Sequence, residues 1–580
     1  MADPQLVLAE RVSDAIVAAF GAGFRDADPL VRPSSFADFQ ANVALPLARR
    51  LGRPSREVAA AVAERLSVAD MSAPPEVSGP GFINFTLRDD WIAGQATSLR
   101  SDDRLGVAGT ADPLTVIVDY SSPNIAKEMH VGHLRTTIVG DAIVRVLEFI
   151  GHRVIRDNHV GDWGTQFGML IEHLQDAGES SAEADLLRTD PNTFYADARR
   201  KFDTDPGFAE RSRARIVLLQ GGDPDTMAIW RELMDLSKAY LRRMYDLLRV
   251  TLTDDDIRGE SFYNEMLPDV VHELVAKGLA VDSDGALCVF PDGFTGRDGS
   301  PLPLIIRKRD GGYNYATTDL ATIRYRVDKL SCDRAIYVVG SDQTLHFQMV
   351  FAVARAAGWI PPGASFEHVP IGMVQGPDGG RLRTREGDTP ALSGLLDAAV
   401  RRARAILEEQ GASERFDETE LAAIAEAVGI GAVKYADLST AHNSSYIFDL
   451  DRMISFRGNT GPYLQYAAVR IRSIFRKYGQ NVGGITSPIA VTAPAERALA
   501  LRLLGFGAAV SAVAETCEPH GLSGYLFDVA SLFTTFFEEC PVLKAPSEEL
   551  RESRLALCAL TLGVLTRGLE LLGVPVPEQM

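Results

Sequence analysis

Hydrophobic positions near the start of the chain follow two different periods. The spacing of an amphipathic helix is carried by Leu6, Val12, Ile16, Ala19 and Phe20. Apolar and polar residues instead alternate between residues 79 and 87, in a segment that begins with Gly and Pro, and this alternation predicts a strand. Residues 1–110 are therefore predicted to form a small α+β module.

The pattern changes near Leu114. Short apolar runs cover residues 116–118 and 335–339, and helical stretches separate them. Buried parallel strands joined by crossover helices have this appearance. We therefore expect an open α/β sheet in the middle of the chain.

Two further stretches are predicted to be helical. Residues 175–259 are rich in charge and in helix formers and interrupt the alternation, which predicts a helical insertion. Beyond Ser455 strand signals fade, and the terminal bundle is predicted from helical patterns at 463–478, 495–517 and 550–572. The prediction is a multidomain α/β protein divided into residues 1–110, 111–455 and 456–580.

Composition narrows the class of protein. A formal net charge of −19 argues against a protein that coats nucleic acid non-specifically, because such binding depends on Lys and Arg neutralising phosphates. The five cysteines are scattered without a Cys-x-x-Cys pair, so neither structural zinc nor a disulfide framework is expected. No apolar run approaches the roughly 18 residues that cross a bilayer. A cytoplasmic protein without a membrane segment is predicted.

The strongest local signal is an apolar strand at 116–118, a loop, and a helix that opens with His130-Val-Gly-His133. A loop in this position lies at the carboxyl edge of the sheet, where the first N–H groups of the helix attract anions. His130 and His133 share one helical face, and Gly132 leaves room for a nucleotide. From the residues alone, a phosphate site, a metal site and two ordinary histidines at a helix start all remain open.

The segment 130–133 resembles the His-Ile-Gly-His signature of class I aminoacyl-tRNA synthetases. Residues 121–127, Ser-Ser-Pro-Asn-Ile-Ala-Lys, and residues 161–168, Gly-Asp-Trp-Gly-Thr-Gln-Phe-Gly, resemble the arginyl-tRNA synthetase family. The resemblance covers essentially the whole chain. It implies an N-terminal domain that contacts the tRNA corner, a Rossmann-like catalytic domain and a helical anticodon-binding domain.

The same resemblance implies the reaction and its participants. The chain is expected to activate L-arginine with ATP and Mg²⁺, release pyrophosphate, and esterify the terminal adenosine of tRNA(Arg), and to do so as a monomer without a protein-bound metal. A guanidinium is planar and permanently charged, so its pocket needs carboxylates and an aromatic or apolar wall. The resemblance assigns arginine binding to Asp119, Asn124, Tyr315, Asp319 and Gln343, with His346 nearby. Without it, Asp319 is read as a helix cap or a surface carboxylate.

The second class I signature, Lys-Met-Ser-Lys, is absent. Residues 379–385 resemble its divergent arginyl form, with Arg381, Arg383 and Arg385 around Thr384, and Lys127 stands where family members with a degenerate loop carry a lysine. The resemblance assigns catalysis to His130, His133, Lys127 and Arg383, and ATP binding to these residues with Gly132 and Thr384. A solvated basic turn is the alternative for Arg381 and Arg385.

A basic helix is predicted between Tyr463 and Tyr478. It carries Arg470, Arg472, Arg476 and Lys477, and residues 461–481 contain no acidic side chain. These four residues are predicted to bind tRNA phosphates, and the tyrosines of this helix are either base-stacking surfaces or core.

Two alternative functions stay open. One is a synthetase for another amino acid, whose pocket would lack the carboxylates Asp119 and Asp319. The other is an inactive tRNA-binding relative, which the altered basic loop permits.

Overall fold

The N-terminal module packs helices against an antiparallel sheet. The computed structural model describes residues 3–125, 127–178, 181–380, 382–383 and 390–580. The elements are α1 (Pro4–Phe20), β1 (Val31–Pro33), β2 (Phe39–Ala41), α2 (Ala44–Leu51), α3 (Ser55–Ala63), β3 (Glu76–Ser78), β4 (Phe82–Phe85) and α4 (Asp89–Arg100). The strand order is β1-β2-β4-β3, and the strand predicted at 79–87 is β4.

A five-stranded parallel sheet forms the centre of the chain, as the apolar runs predict. Its strands are β5 (Thr115–Asp119), β6 (Arg153–Val160), β7 (Ile257–Gly259), β11 (Arg334–Gly340) and β12 (Ser365–Ile371). Their order is β12-β11-β5-β6-β7. Each neighbouring pair is parallel, so the carboxyl ends of β5, β6 and β11 lie at one edge.

Helices connect and cover this sheet. Helix α5 (Val131–Ile150) joins β5 to β6, α12 (Tyr315–Asp328) precedes β11, and α13 (Thr344–Ala356) joins β11 to β12. Helices α6 (Thr165–Ala177), α7 (Ala182–Thr189), α8 (Pro191–Thr204), α9 (Pro206–Gln220) and α10 (Pro224–Leu248) all lie between β6 and β7. The stretch predicted to be a helical insertion is therefore helical.

A small three-stranded sheet was not predicted. It consists of β8 (Ala280–Ser283), β9 (Ala286–Val289) and β10 (Leu304–Arg307), follows α11 (Leu267–Ala276), and is antiparallel. Its strands have only four residues each, which is too short for a clear alternating pattern.

Helix α5 lies unusually close to the residue that follows β5. A Cβ atom built on Gly140 would lie 2.3 Å from the Cβ of Tyr120, which is far inside van der Waals contact. Glycine normally weakens a helix by roughly 0.5–1 kcal/mol relative to alanine. Here the absent side chain lets α5 pack directly onto the start of the signature loop, the segment that connects β5 to α5.

The rest of the chain is mainly helical. Its elements are β13 (Val374–Gln375), α14 (Leu392–Glu409), α15 (Glu418–Leu438), β14 (Tyr446–Ile447), α16 (Leu450–Met453), α17 (Gly461–Tyr478), α18 (Pro494–Leu503), α19 (Phe506–Thr516), α20 (Pro519–Glu539) and α21 (Glu548–Leu571). The helix predicted over 495–517 is two helices, because the chain turns at Leu504 and Gly505.

One stretch of the described chain, Pro494–Thr516, has the length and composition of a membrane span. Its mean hydropathy is 1.5, and 44% of the window is buried inside the structure. The break between α18 and α19 falls within it.

Candidate active site

The signature loop reverses direction immediately after β5. Ser121 and Ser122 both have positive φ angles, 71° and 47°, and residues other than glycine adopt such backbone angles only at a cost in free energy. Their surroundings hold them there: the Ser122 N–H donates to Asn158 Oδ1 at 3.0 Å, and the hydroxyls of Ser121 and Tyr245 lie 2.8 Å apart. The loop is therefore fixed at the carboxyl edge of the sheet.

The structure brings the two family-like segments together. Asn124 forms a parallel bridge with Gly161, and the Ile125 N–H donates to the Gly161 carbonyl at 3.0 Å. A Cβ on Gly161 would lie 2.3 Å from Asn124 Oδ1, so only glycine leaves space for this amide. Gly161 therefore sets the position of Asn124, which is exposed at the surface.

The two signature histidines are held by backbone groups. His130 caps α5, and its Nδ1 accepts the Gly132 N–H at 3.0 Å, while His133 Nδ1 accepts the His130 N–H at 3.2 Å. The ring centroids are 3.9 Å apart. A ring nitrogen that accepts a hydrogen bond carries no proton, so a neutral ring in either position bears its proton on Nε2.

Burial, together with the nearby His130 and Lys127, lowers the pKa of His133 to about 3, against the opposing effect of its hydrogen bond with the His130 backbone. His133 is therefore a neutral hydrogen-bond donor at physiological pH, not a cation. Gly132 has a second role besides the predicted one, because a Cβ there would lie 2.7 Å from Cε1 of His130. Its absent side chain makes room for the capping ring.

The basic loop returns to the signature histidines. The Val131 N–H donates to the Pro390 carbonyl at 3.3 Å, and the Leu392 N–H donates to the Met129 carbonyl at 2.8 Å. Arg383 is exposed. Arg381, Thr384 and Arg385 lie outside the described residues, so the structure gives only the ends of this loop.

Lys127 is exposed and contacts the helical insertion. Its Nζ lies 4.0 Å from the ring centroid of Tyr195 on α8. Beside it, a cavity of about 450 Å³ opens between α7, α10 and the start of α14, and Lys127, Tyr240 and Asp397 are among its lining residues. The Tyr240 hydroxyl also accepts the N–H of Met129, which links the insertion to the signature loop.

A second group of predicted residues meets on α12 and α13. Asp319 Oδ2 lies 2.6 Å from His346 Nε2, and the rings of His346 and Tyr315 pack edge to face at 4.8 Å. Tyr315 and Asp319 are four residues apart in α12 and so share one face. Asp319 is thus neither a helix cap nor an unpaired surface carboxylate. Gln343 is exposed at the start of α13, next to this group.

Asp119, which is predicted to bind the substrate guanidinium, has partners within the chain. Its side chain is 7% exposed, and its partner is a guanidinium of the protein itself, because Arg326 Nη2 donates to Asp119 Oδ2 at 2.6 Å. The Ser122 hydroxyl donates to Oδ1 at 3.0 Å. Both carboxylate oxygens therefore already accept a hydrogen bond within the chain.

Glu260 is a carboxyl group that the sequence patterns do not single out. It begins a short 3-10 helix over Glu260–Met266. Burial and the negative charges of Asp162 and Asp319 together raise its pKa to about 7, against the opposing effect of His159. A raised pKa beside a candidate pocket is typical of functional groups, but no motif in the sequence could have indicated it.

The four basic residues of α17 lie on two faces. Arg470 and Lys477, seven residues apart, line a cavity of about 260 Å³ together with Phe537 and Lys544. Arg472 and Arg476, four residues apart, donate to the carbonyls of Pro577 and Glu578 in the C-terminal segment. The four residues do not form one continuous basic stripe, because the helical repeat separates them into two pairs.

Three family models match consecutive parts of the chain. The arginyl tRNA synthetase N terminal domain matches residues 6–87. The catalytic domain of class I tRNA synthetases of the arginine type matches residues 95–450. The DALR anticodon binding domain matches residues 464–580.

Individual proteins match over the full chain. The arginine–tRNA ligase of Thermobifida fusca is 61% identical, and that of Synechococcus elongatus is 49% identical, each across 100% of both chains. The solved arginyl-tRNA synthetase structures from Plasmodium falciparum and Thermus thermophilus, 30% and 25% identical, match 100% of both chains with TM-scores of 0.87 and 0.81. This chain belongs to the arginyl-tRNA synthetase family.

Proposed function

We propose that this protein is an arginine–tRNA ligase, which activates L-arginine with ATP and then transfers it to the terminal adenosine of tRNA(Arg). The observation that carries the proposal is that the loop after β5, which leads to the two histidines, and the turn after β11, which leads to Gln343 and His346, both begin at the carboxyl edge of the parallel sheet. The full-length similarity to arginine–tRNA ligases supports the same substrates.

The guanidinium of the substrate would bind at Asp319. A carboxylate with its plane fixed by a histidine can receive the planar fork of a guanidinium, and the exposed ring of Tyr315 provides an aromatic wall. Asn124 would hold the α-amino or carboxylate end, and Gln343 would complete the pocket. This arrangement selects a long basic side chain because its cation reaches Asp319 while its other end remains at the signature loop.

The phosphates of ATP would bind on the signature helix. His130 and His133 offer Nε2–H donors there, and the N-terminal end of α5 attracts negative charge. Because His133 is neutral, it donates a hydrogen bond but brings no positive charge to the leaving pyrophosphate, and Lys127 and Arg383 are proposed to add their charge to that of the Mg²⁺ carried by ATP. Gly132 and Thr384 complete the proposed ATP site.

In the first step, an oxygen of the arginine carboxylate attacks the α-phosphorus of ATP. The bond from that phosphorus to the bridging oxygen breaks, and its electron pair leaves with pyrophosphate. The carboxylate is already ionised, so no protein base is required, and the proposed side chains align the reactants and stabilise charge. In the second step the arginyl group passes to the terminal adenosine and AMP leaves.

ATP would carry Mg²⁺ on its phosphates. Among the described residues there is no group of three or more His, Cys, Asp or Glu side chains that could hold a metal ion.

Binding of tRNA is proposed for the α17 region. Arg470 and Lys477 combine two cations with the ring of Phe537 and a cavity, which suits an RNA base next to its phosphate. Arg472 and Arg476 would contribute only after releasing their bonds to the C-terminal segment.

The proposed setting is the cytoplasm, with the protein as a monomer. The five cysteines are free and buried, which fits a reducing compartment. Sedimentation at several protein concentrations tests the monomer.

ATP–pyrophosphate exchange with each amino acid, with and without total tRNA, tests the function. We expect exchange with arginine and with none of the other amino acids. Exchange with another amino acid would identify a synthetase for that amino acid. Absence of exchange with any amino acid would indicate an inactive tRNA-binding relative. In this assay Asp319→Ala should impair the use of arginine far more than it changes the KM for ATP.

A further inference from the structure

A buried guanidinium lies beneath the proposed arginine pocket. Arg326 on α12 is fully buried, and its Nη2 donates to Asp119 Oδ2 at 2.6 Å and to Asp157 Oδ2 at 3.0 Å. Its guanidinium carbon lies 4.6 Å from the ring centroid of Tyr337. One internal arginine therefore occupies two carboxylates and an aromatic face, which are the groups that a substrate guanidinium also requires.

The side chains that contact this guanidinium form a single row across the sheet. Asp157 on β6, Asp119 on β5 and Tyr337 on β11 are register partners on three adjacent parallel strands. Side chains in one row of a sheet point to the same face. Arg326 therefore connects α12 to three strands at once, near the edge where the strands end.

The helix held in this way carries the proposed specificity residues. Asp319 and Arg326 are seven residues apart in α12, so they lie on the same side of the helix two turns apart. Because Arg326 is fixed to the strands, α12 can neither rotate nor slide without breaking a buried ion pair, and Tyr315 and Asp319 keep their places.

Asp119 connects this anchor to the signature loop. Its Oδ1 accepts the hydroxyl of Ser122, which stands two residues before Asn124. One carboxylate thus joins the element proposed to bind the guanidinium to the loop proposed to bind the other end of the amino acid.

We propose that Arg326 is a positioning residue for amino-acid binding, and that Asp119 acts on the substrate through Arg326 instead of contacting it. The inference rests on the proposed function and deepens it. The Asp119–Arg326–Asp157 cluster sets the distance between Asp319 and Asn124, and hence the length of amino acid that the pocket accepts.

The test measures ATP–pyrophosphate exchange by the full-length chain with total tRNA present, for Asp119→Asn, Arg326→Lys and the double variant. Each single variant is expected to raise the KM for arginine about tenfold and the KM for ATP less than about twofold. The double variant should be no worse than the worse single variant, because both changes break one pair. Arg326→Met, which also removes the charge, should raise the KM for arginine more than Arg326→Lys does.

Arg324→Lys is the matched control. Arg324 lies on the same helix, pairs with Glu273 at 3.1 Å and packs over Trp359, away from the buried row. It should leave the KM for arginine within about twofold of the parent. If Asp119→Asn does not yield folded protein, Asp157→Asn replaces it, because Asp157 binds the same nitrogen of Arg326.

Two results would overturn the inference. If Arg326→Lys leaves the KM for arginine unchanged while Asp119→Asn raises it, Asp119 contacts the substrate directly. If Arg326→Lys raises the KM for ATP and for arginine equally, the cluster supports the fold in general. A parent enzyme that shows no exchange with arginine would instead overturn the proposed function itself.

Discussion

His346 and Asp319 are joined by a hydrogen bond of 2.6 Å between Nε2 and Oδ2, although they lie on different helices. The bond fixes the plane of the carboxylate, which decides whether a planar guanidinium can donate two parallel hydrogen bonds to it. His346 is in turn held between the rings of Tyr315 and Phe347. The geometry of the guanidinium site is therefore set by α13 as well as by α12.

Replacing His346 should affect arginine selectively. In His346→Phe the packing surface remains but the hydrogen bond to Asp319 is lost, so we expect the KM for arginine to rise about tenfold, or 1.4 kcal/mol. The KM for ATP should change little. His272→Phe, at an exposed position on α11, is the control. Equal effects on both substrates would show that His346 does not act through Asp319.

The contact between Gly161 and Asn124 gives a second prediction. In Gly161→Ala the new Cβ would displace the Asn124 amide, whose Oδ1 is 2.3 Å away, while the backbone at position 161 accepts alanine. We expect a rise of about tenfold in the KM for arginine with little loss of melting temperature, because a side-chain end can move more easily than a backbone. Gly94→Ala, where nothing lies within 4 Å, should leave the KM unchanged. An unchanged KM for arginine in Gly161→Ala would show that Asn124 does not bind the amino acid.

His133 should stay neutral over the physiological pH range. Its pKa in the folded protein is about 3, below the unfolded value near 6.5. As the pH falls below 6.5 the unfolded chain therefore gains a proton that the folded chain does not, and stability is lost toward pH 3. In ¹⁵N-histidine NMR spectra, the signal of His133 is identified as the one that His133→Gln lacks. This signal should remain that of a neutral ring protonated on Nε2 from pH 5 to 8. A titration midpoint near 6.5 would contradict this assignment.

The contact between Lys127 and Tyr195 should compete with ATP. If Lys127 binds phosphates, it must leave the Tyr195 ring, a contact worth about 0.5–1 kcal/mol at an exposed site. Tyr195→Leu should then lower the KM for ATP about two- to fivefold. Tyr195→Phe keeps the ring and should have no effect, and Lys127→Met should raise the KM. A higher KM in Tyr195→Leu would mean that the ring holds Lys127 in its active position.

The two faces of α17 should differ in tRNA binding. Arg470→Gln and Lys477→Gln should each weaken tRNA affinity and lower the dependence of log Kd on log salt by about one. Arg472→Gln and Arg476→Gln, whose side chains hold the C-terminal segment, should lower the melting temperature and leave the salt dependence close to that of the parent. Similar salt effects in all four variants would support the prediction from the sequence that all four residues bind tRNA phosphates.

The parts of the fold that could be predicted are those with long or strongly apolar elements. Strands β5 and β11 are buried on both faces, so they read as near-continuous apolar runs. The four-residue strands β8 to β10 give no such pattern. The break between α18 and α19 was missed because the apolar periodicity continues across it, and only the turn at Gly505 separates the helices.

In the candidate site, too, some relationships between residues could be predicted from the sequence and others could not. Residues within one short segment, such as His130 and His133, could be placed together because three positions along a helix fix their relation. The partner of Asp119 could not, because Arg326 lies 207 residues away and neither position belongs to a local pattern that connects them. The pairing depends on strand register and helix packing, which no window of sequence contains.

The close approach of Gly140 to Tyr120 constrains how this part of the molecule can evolve. The nearest atom is the Cβ of Tyr120, which every residue except glycine carries, so a smaller side chain at position 120 leaves the collision in place. A side chain at position 140 therefore requires α5 to move away from the segment that follows β5. Descendants that have lost Gly140 should differ in the spacing between α5 and β5, whichever side chain they carry at position 120.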